Sequence, residues 1–345
     1  MEIVVEKAVL HLLDPQADAP VLSDEWIDDE ASLGYLGALA AKAYKSEEAK
    51  ACTLEPDGPG AQAAAMAEDD FAGAAALLAR RWFEVAAQNA DVPPADAAFV
   101  LMSVDGRMHL AGLKLNYRLG WSHYYELREN GAATRLVRQE AMLPPASGKA
   151  DEAFVIDLSP AKGESFSARV LEKKYEVDGR KQTYLAARVL GARAGLSPKE
   201  KLAAICEAAV EVNRQFYGNL GVEEPEVAAA VCEEYRAQRA AASKPSAPAA
   251  AEAGADVGAL CEKLYGELPH AREAFEKALR EQDIAFDEPL PMPPAGVHRL
   301  EKQSLRSAGG VEIRVPVNVY RDENALEFIH NPDGTTSLLI KNVLV

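Results

Sequence analysis

Apolar positions change their spacing four times along the chain, and each change marks a change of structure. Residues 3–13, "IVVEKAVLHLL", are apolar and partly alternating and run into "DPQADAP", which predicts a first strand and a turn. Residues 28–46 then place Leu33, Leu36, Leu39, Ala40 and Ala43 at three- and four-residue spacing behind Asp28, Asp29 and Glu30. That is an amphipathic helix with acids at the positive end of its dipole. "EPDGPG" reads as a loop, and residues 68–89 repeat the helical pattern through Phe71, Ala75, Leu78, Trp82 and Val85.

Beyond "DVPP" the period shortens. "AAFVLMSVDGRMHLAGLKLNY" is two apolar runs joined at Asp105-Gly106, a two-residue hairpin signal. "WSHYYELRE", "TRLVRQEAML", "AFVIDLS", "SARVLEKKYEV" and "QTYLAARVLG" read as further strands. The expectation is an α+β fold: a mostly antiparallel sheet with the two N-terminal helices on one face.

Helical spacing returns at "LSPKEKLAAICEAAVEVNRQFYGN", which opens on Ser197 as cap, Pro198 at the first helical position and Glu200 at the third. Helices are expected over 224–241, 257–264 and 269–281, with "AASKPSAPAAAEAGA", about 242–254, as a flexible linker. The tail turns back to strands. After Gly309-Gly310, Val311, Ile313, Val315, Val317 and Val319 alternate with polar neighbours, and Pro316 restricts that strand to an edge or a bulge. A second pair turns at "NPDG". The domain division read from these shifts is 1–195 (α+β), 196–283 (helical, with the linker) and 284–345 (C-terminal β region).

Charge narrows the function classes. The chain carries 37 basic and 54 acidic residues, net −17. Residues 1–104 hold 6 basic against 19 acidic, residues 105–193 hold 15 against 11, residues 194–296 hold 10 against 18, and the remainder balance. Tight, sequence-independent coating of DNA requires clustered cations, so this balance opposes it. The mildly basic central block supplies the candidate phosphate contacts, Lys114, Arg118, Arg169, Lys173, Lys174, Arg180 and Lys181. Tyr117, Trp121, Tyr124 and Tyr125 beside them read as sheet packing.

Other chemistry is sparse. There is no phosphate-loop or dinucleotide fingerprint; "ASGKA" and "GARAG" lack the spacing. No zinc-binding spacing occurs and the six histidines are scattered, with His109 and His123 on neighbouring predicted strands as the nearest approach to a ligand pair. No metal or other cofactor is expected. Cys52, Cys206, Cys232 and Cys261 read as small buried hydrophobes of a reducing compartment. No apolar run spans a membrane, and "MEIVVEKAVLHLL" lacks the basic start of a secretory signal. One enzymatic alternative stands: Asp157 with Glu172-x-Lys174 has the D…E-x-K order of magnesium-dependent nucleases, in which two carboxylates hold the metal and the lysine steadies the attacking water.

The order "KAVLHLL", "HLAGLKLNY", "AFVIDLSPA" with a capped helix after it, and then a basic segment, a Gly-Gly turn, a strand and "NPDG" resembles the bacterial 37-kDa nucleoid-associated protein family. The resemblance covers nearly the whole chain; the Ala/Pro linker and the lack of a basic run at "KNVLV" depart from it. It implies a cytoplasmic bacterial protein at the nucleoid, without a catalytic residue set. The first reading is therefore a non-enzymatic protein that works through DNA-associated proteins, among them enzymes of DNA topology, with weak direct DNA contact. A protein-interaction module with no DNA role is the remaining alternative, and association between copies of the chain is a further expectation.

Overall fold

The computed structural model describes residues 2–15, 17–129, 131–160, 165–217, 230, 231, 233, 254–286, 289–291, 302–306, 310–320, 322, 324–332 and 335–342. Two compact units divide the chain, Met1–Ser197 and Pro198–Val345.

The first unit is built on a seven-stranded sheet in which every neighbouring pair is antiparallel, which is the expected α+β class. Its elements are β1 (Ile3–Leu13), α1 (Glu30–Tyr44), β2 (Lys50–Leu54), α2 (Pro59–Met66), α3 (Phe71–Ala87), β3 (Ala95–Val104), β4 (Arg107–Asn116), β5 (Arg118–Arg128), β6 (Gly131–Met142), β7 (Glu152–Asp157), β8 (Ser167–Leu171), β9 (Tyr175–Val177), β10 (Arg180–Gln182), a π-helical turn (Leu185–Leu190) and β11 (Ala192–Ala194). The sheet order is β1-β3-β4-β7-β8-β2-β11.

Both faces of the central strands are dry. Ala97, Phe99 and Leu101 of β3 join Leu110, Phe154, Ile156 and Val170 against α2, α3 and the π-helical turn. The intervening Ala98, Val100, Met102 and Val104 join Ala111, Leu113, Leu115 and Val155 against Leu36, Leu39, Ala40 and Ala43 of α1. The helices therefore cover both faces, where the sequence reading put them on one. "AAFVLM" is apolar at consecutive positions, which is the mark of a strand buried on both sides. Asp29 caps α1 by accepting from the Ser32 amide at 2.8 Å, and Asp70 caps α3 from the Gly73 amide at 2.9 Å. Gly112 lies under the Phe154 ring; a Cβ there would stand 2.3 Å from its Cζ atom.

Three local readings change. β5 and β6 pair only with each other, as a separate ribbon. "SARVLEKKYEV" splits into β8 and β9 around residues 172–174, and "QTYLAARVLG" holds the π-helical turn in place of a strand. Leu185, Ala186, Val189 and Leu190 of that turn are all buried, a helical spacing hidden in a β-branched, aromatic-flanked segment.

The second unit contains α4 (Pro198–Tyr217), β12 (Gly254–Asp256), α5 (Val257–Tyr265), α6 (Pro269–Arg280), β13 (Pro289–Pro291), β14 (Lys302–Arg306), β15 (Glu312–Pro316), a single turn α7 (Val317–Tyr320), β16 (Leu326–His330) and β17 (Thr336–Ile340). Tyr265 is buried between α4 and α6: its hydroxyl donates to the Ala209 carbonyl at 3.0 Å and its ring meets Phe275 at 5.5 Å. The strand expected to reach Val319 stops at Pro316, whose missing N–H ends the ladder, and the chain turns into α7. The helix expected over 224–241 and the linker over 242–254 lie almost entirely outside the described residues, as does Cys232. Cys52 and Cys261 are buried, and burial pushes their thiols up to about 12 and about 11, away from the reactive thiolate.

His11 on β1 is sealed under Phe99, with ring centroids 5.6 Å apart, and its Nδ1 accepts from the Ser23 amide at 3.1 Å. Burial, reinforced by the charge of Arg80, holds its pKa below 6.5. Below pH 6.5 the unfolded chain takes up a proton that the folded chain refuses, so stability present above that pH is lost as the pH falls through the folded value. Thermal unfolding at about pH 7.5 and about pH 5.5 is expected to show a larger acid-side drop in Tm for the wild type than for His11→Asn, which keeps an acceptor but no titrating ring.

Candidate nucleic-acid interface

The seven cations singled out from the sequence fall into three environments. Lys114, near the end of β4, points into the protein and is fully buried. Its Nζ donates to Asn116 Oδ1 at 2.7 Å and lies 3.5 Å from Glu152 Oε2 at the start of β7, a register fixed by the β4–β7 pairing. Glu152, also buried, accepts from the Tyr184 hydroxyl at 2.7 Å, and that hydroxyl in turn accepts from Trp82 Nε1 at 3.0 Å. Burial raises the Glu152 pKa and lowers that of Lys114, each opposed by the charge of the other.

Arg118 and Lys173 stand above this pair and converge on the adjoining Asp151, at 3.6 Å and 2.7 Å. The structure thus brings Lys114, Arg118 and Lys173 together, but around Asp151-Glu152. Arg169 is half-buried on β8, with one guanidinium nitrogen donating to the Ser46 carbonyl at 2.9 Å and its plane over the Tyr44 ring. Lys174, Arg180 and Lys181 are exposed, the last two on the β9–β10 hairpin.

Sequence reading missed three arginines that the fold assembles. Arg81 of α3, Arg188 of the π-helical turn and Arg193 of β11 line a cleft of about 590 Å³, together with Glu55, Asp57 and the Gly58-Pro59 start of α2. Arg188 pairs with Asp178 in the turn of the β9–β10 hairpin, which ties Arg180 and Lys181 to that cleft. Arg81 is held by the Arg188 carbonyl at 2.9 Å and by Glu84 at 2.9 Å. Pro59 directly after Gly58 is a helix-start signature, which the reading of "EPDGPG" as a loop missed along with α2; the meeting of residues 81, 188 and 193 has no local signal.

The D…E-x-K set does not assemble. β7 and β8 pair with Ile156 opposite Ala168 and Ala153 opposite Leu171, so Asp157 and Glu172 sit at opposite ends of the ladder. At about 3.3 Å per residue they are roughly 15 Å apart, too far to share a metal ion. Glu172 accepts from the Ala186 amide at 3.2 Å and pairs with Lys50 at 3.3 Å, while Asp157 pairs with Arg107 at 3.6 Å. His109 and His123 also fail to meet: the first faces Tyr44 inside the main sheet, the second is on the ribbon. Among the described residues no three His, Cys, Asp or Glu side chains are placed to hold a metal, and no helix is long and apolar enough to cross a membrane.

The buried pair yields a stability test. Lys114→Met strands the Glu152 carboxylate in a dry site and is expected to cost about 3–5 kcal/mol in urea unfolding. Adding Glu152→Gln, which keeps an acceptor for Tyr184, restores most of that loss. Equal stability of wild type and Lys114→Met would contradict the assignment.

No curated protein matches the chain. A family model described as nucleoid-associated protein YejK, NA37, matches residues 9–344, from β1 to beyond β17. The match runs over nearly the whole chain and through both units, so the chain belongs to the NA37 family of nucleoid-associated proteins.

Proposed function

We propose that this protein works at the nucleoid chiefly through protein partners, with weak direct contact to DNA, and that it is not an enzyme. The observation that carries this reading is the fate of its cations. Lys114, Arg118 and Lys173 are spent on Asp151 and Glu152, inside a chain of net charge −17. Of the cations singled out from the sequence, that leaves Lys174, Arg180 and Lys181 exposed and, with Arg193 at the neighbouring cleft, as candidates for a phosphate backbone. Three or four phosphate contacts support weak binding that collapses with salt. The acidic N-terminal segment, 6 basic against 19 acidic residues over 1–104, suits proteins that themselves bind DNA, such as enzymes of DNA topology, because their basic surfaces accept it.

The test combines two measurements on the full chain. Fluorescence anisotropy with a labelled duplex is expected to give binding whose log–log salt slope is about −3, lowered further by Lys174→Glu with Lys181→Glu. Affinity capture from a bacterial lysate is expected to retain DNA-associated proteins after DNase treatment. Tight duplex binding at physiological salt by the purified chain, or loss of every captured protein on DNase treatment, contradicts the reading.

A further inference from the structure

The β5–β6 ribbon, residues 118–142, is packed into neither core of the first unit. A lone two-stranded ribbon is marginal in water unless one face is covered. Its register puts Trp121, His123, Tyr125 and Leu127 opposite Arg138, Leu136, Thr134 and Ala132, so all eight share one face. On that face Trp121 is 62% exposed, Tyr125 58%, Leu127 78% and Leu136 73%. A row of exposed aromatic and leucine side chains of this kind, on a strand pair packed into neither core, marks an interaction surface.

We infer that this face is the contact through which two copies of the chain pair about a two-fold axis. Charge supports the choice. Two molecules of net charge −17 repel each other over most of their surfaces, whereas the ribbon holds four arginines against three glutamates. Arg138 and Glu140 stand 3.7 Å apart, so one patch carries both signs, as a self-complementary contact needs. Area supports it as well. The four apolar side chains expose on the order of 500 Å² per copy, so pairing removes about 1,000 Å² from water, the floor for a specific interface.

The strand edges do not oppose pairing. Residues 118–142 contain no proline and no lysine, the residues that usually block the addition of another strand. DNA fits the ribbon less well, because each guanidinium is engaged within the chain. Arg118 faces Asp151 at 3.6 Å, Arg128 faces Glu126 at 3.6 Å, Arg138 faces Glu140, and Arg135 lies 4.5 Å over the Tyr124 ring.

Sedimentation velocity of the full chain, without DNA and across about 1–50 μM at physiological salt, reads the outcome. The wild type is expected to sediment as a dimer. Leu127→Glu with Leu136→Glu is expected to weaken association about 100-fold or more, with an unchanged far-UV circular dichroism spectrum. Gln139→Glu, on the opposite face, is expected to leave the dimer intact. A wild type that is monomeric throughout overturns the proposal, and so does a dimer that survives the double substitution. A double variant that keeps its dimer in sedimentation and, in the separate anisotropy assay with a labelled duplex, loses binding overturns it too, and would assign the face to DNA. The sedimentation measurement contains no nucleic acid or lysate, so its failure is separate from failure of the nucleoid reading.

Discussion

Two neighbouring strands that are dry on both faces, β3 and β4, constrain most of the first unit. Along Ala97–Met102 every side chain is buried, alternately toward α2 and α3 and toward α1. Because the backbone of such strands cannot turn to water, each must find a hydrogen-bonding neighbour on both edges, and β1 and β7 supply those edges. The same constraint selects Gly112 beneath Phe154, where the aromatic ring occupies the space a side chain would take. Helices on both faces follow from the strands rather than from the helices' own sequences.

Inside that frame, a charged pair that is alone among the described residues in being fully buried is spliced into an aromatic chain. Trp82 holds Tyr184, Tyr184 holds Glu152 and Glu152 faces Lys114, so α3, the segment before the π-helical turn, β7 and β4 are joined by a single polar path. A buried ion pair contributes little net stability over apolar residues of the same volume, but it penalises any register that leaves one charge alone. Glu152 pairs with Lys114 only when β4 and β7 are in the observed alignment. The pair therefore acts on register more than on affinity for anything outside the protein.

Membership of a nucleoid-associated family and a net charge of −17 are compatible once the surface is divided by region. Among the described residues, Lys174, Arg180, Lys181 and Arg193 are exposed at or near the β9–β10 hairpin and the arginine cleft, while the largest excess of acids over bases, 19 against 6, lies in the first 104 residues. On the proposed reading, protein and phosphate contacts use different parts of one chain. The ribbon is a third region, apolar and nearly neutral, and its chemistry suits neither of the others.

Much of the architecture is determined by sequence alone. β1, α1, α3, the hairpin at Asp105-Gly106, α4 and the terminal hairpins follow from local spacing, caps and turn dipeptides, because those signals act within a few residues. The family, too, was carried by short motifs in order along the chain. Tertiary structure decided the rest. Lys114 looks like a surface cation in sequence because a buried ammonium and a solvated one have the same local context; only the β4–β7 register, joining residues 114 and 152, seals it. Asp157 and Glu172 look like a metal pair because spacing does not say which end of an antiparallel ladder each occupies. Arg81, Arg188 and Arg193 meet across more than a hundred residues of chain, and β5 and β6 leave the main sheet although their alternation matches a sheet strand. Periodicity specifies what an element is; which elements it touches is set by the sum of many weak contacts between distant segments, and no local pattern records that sum.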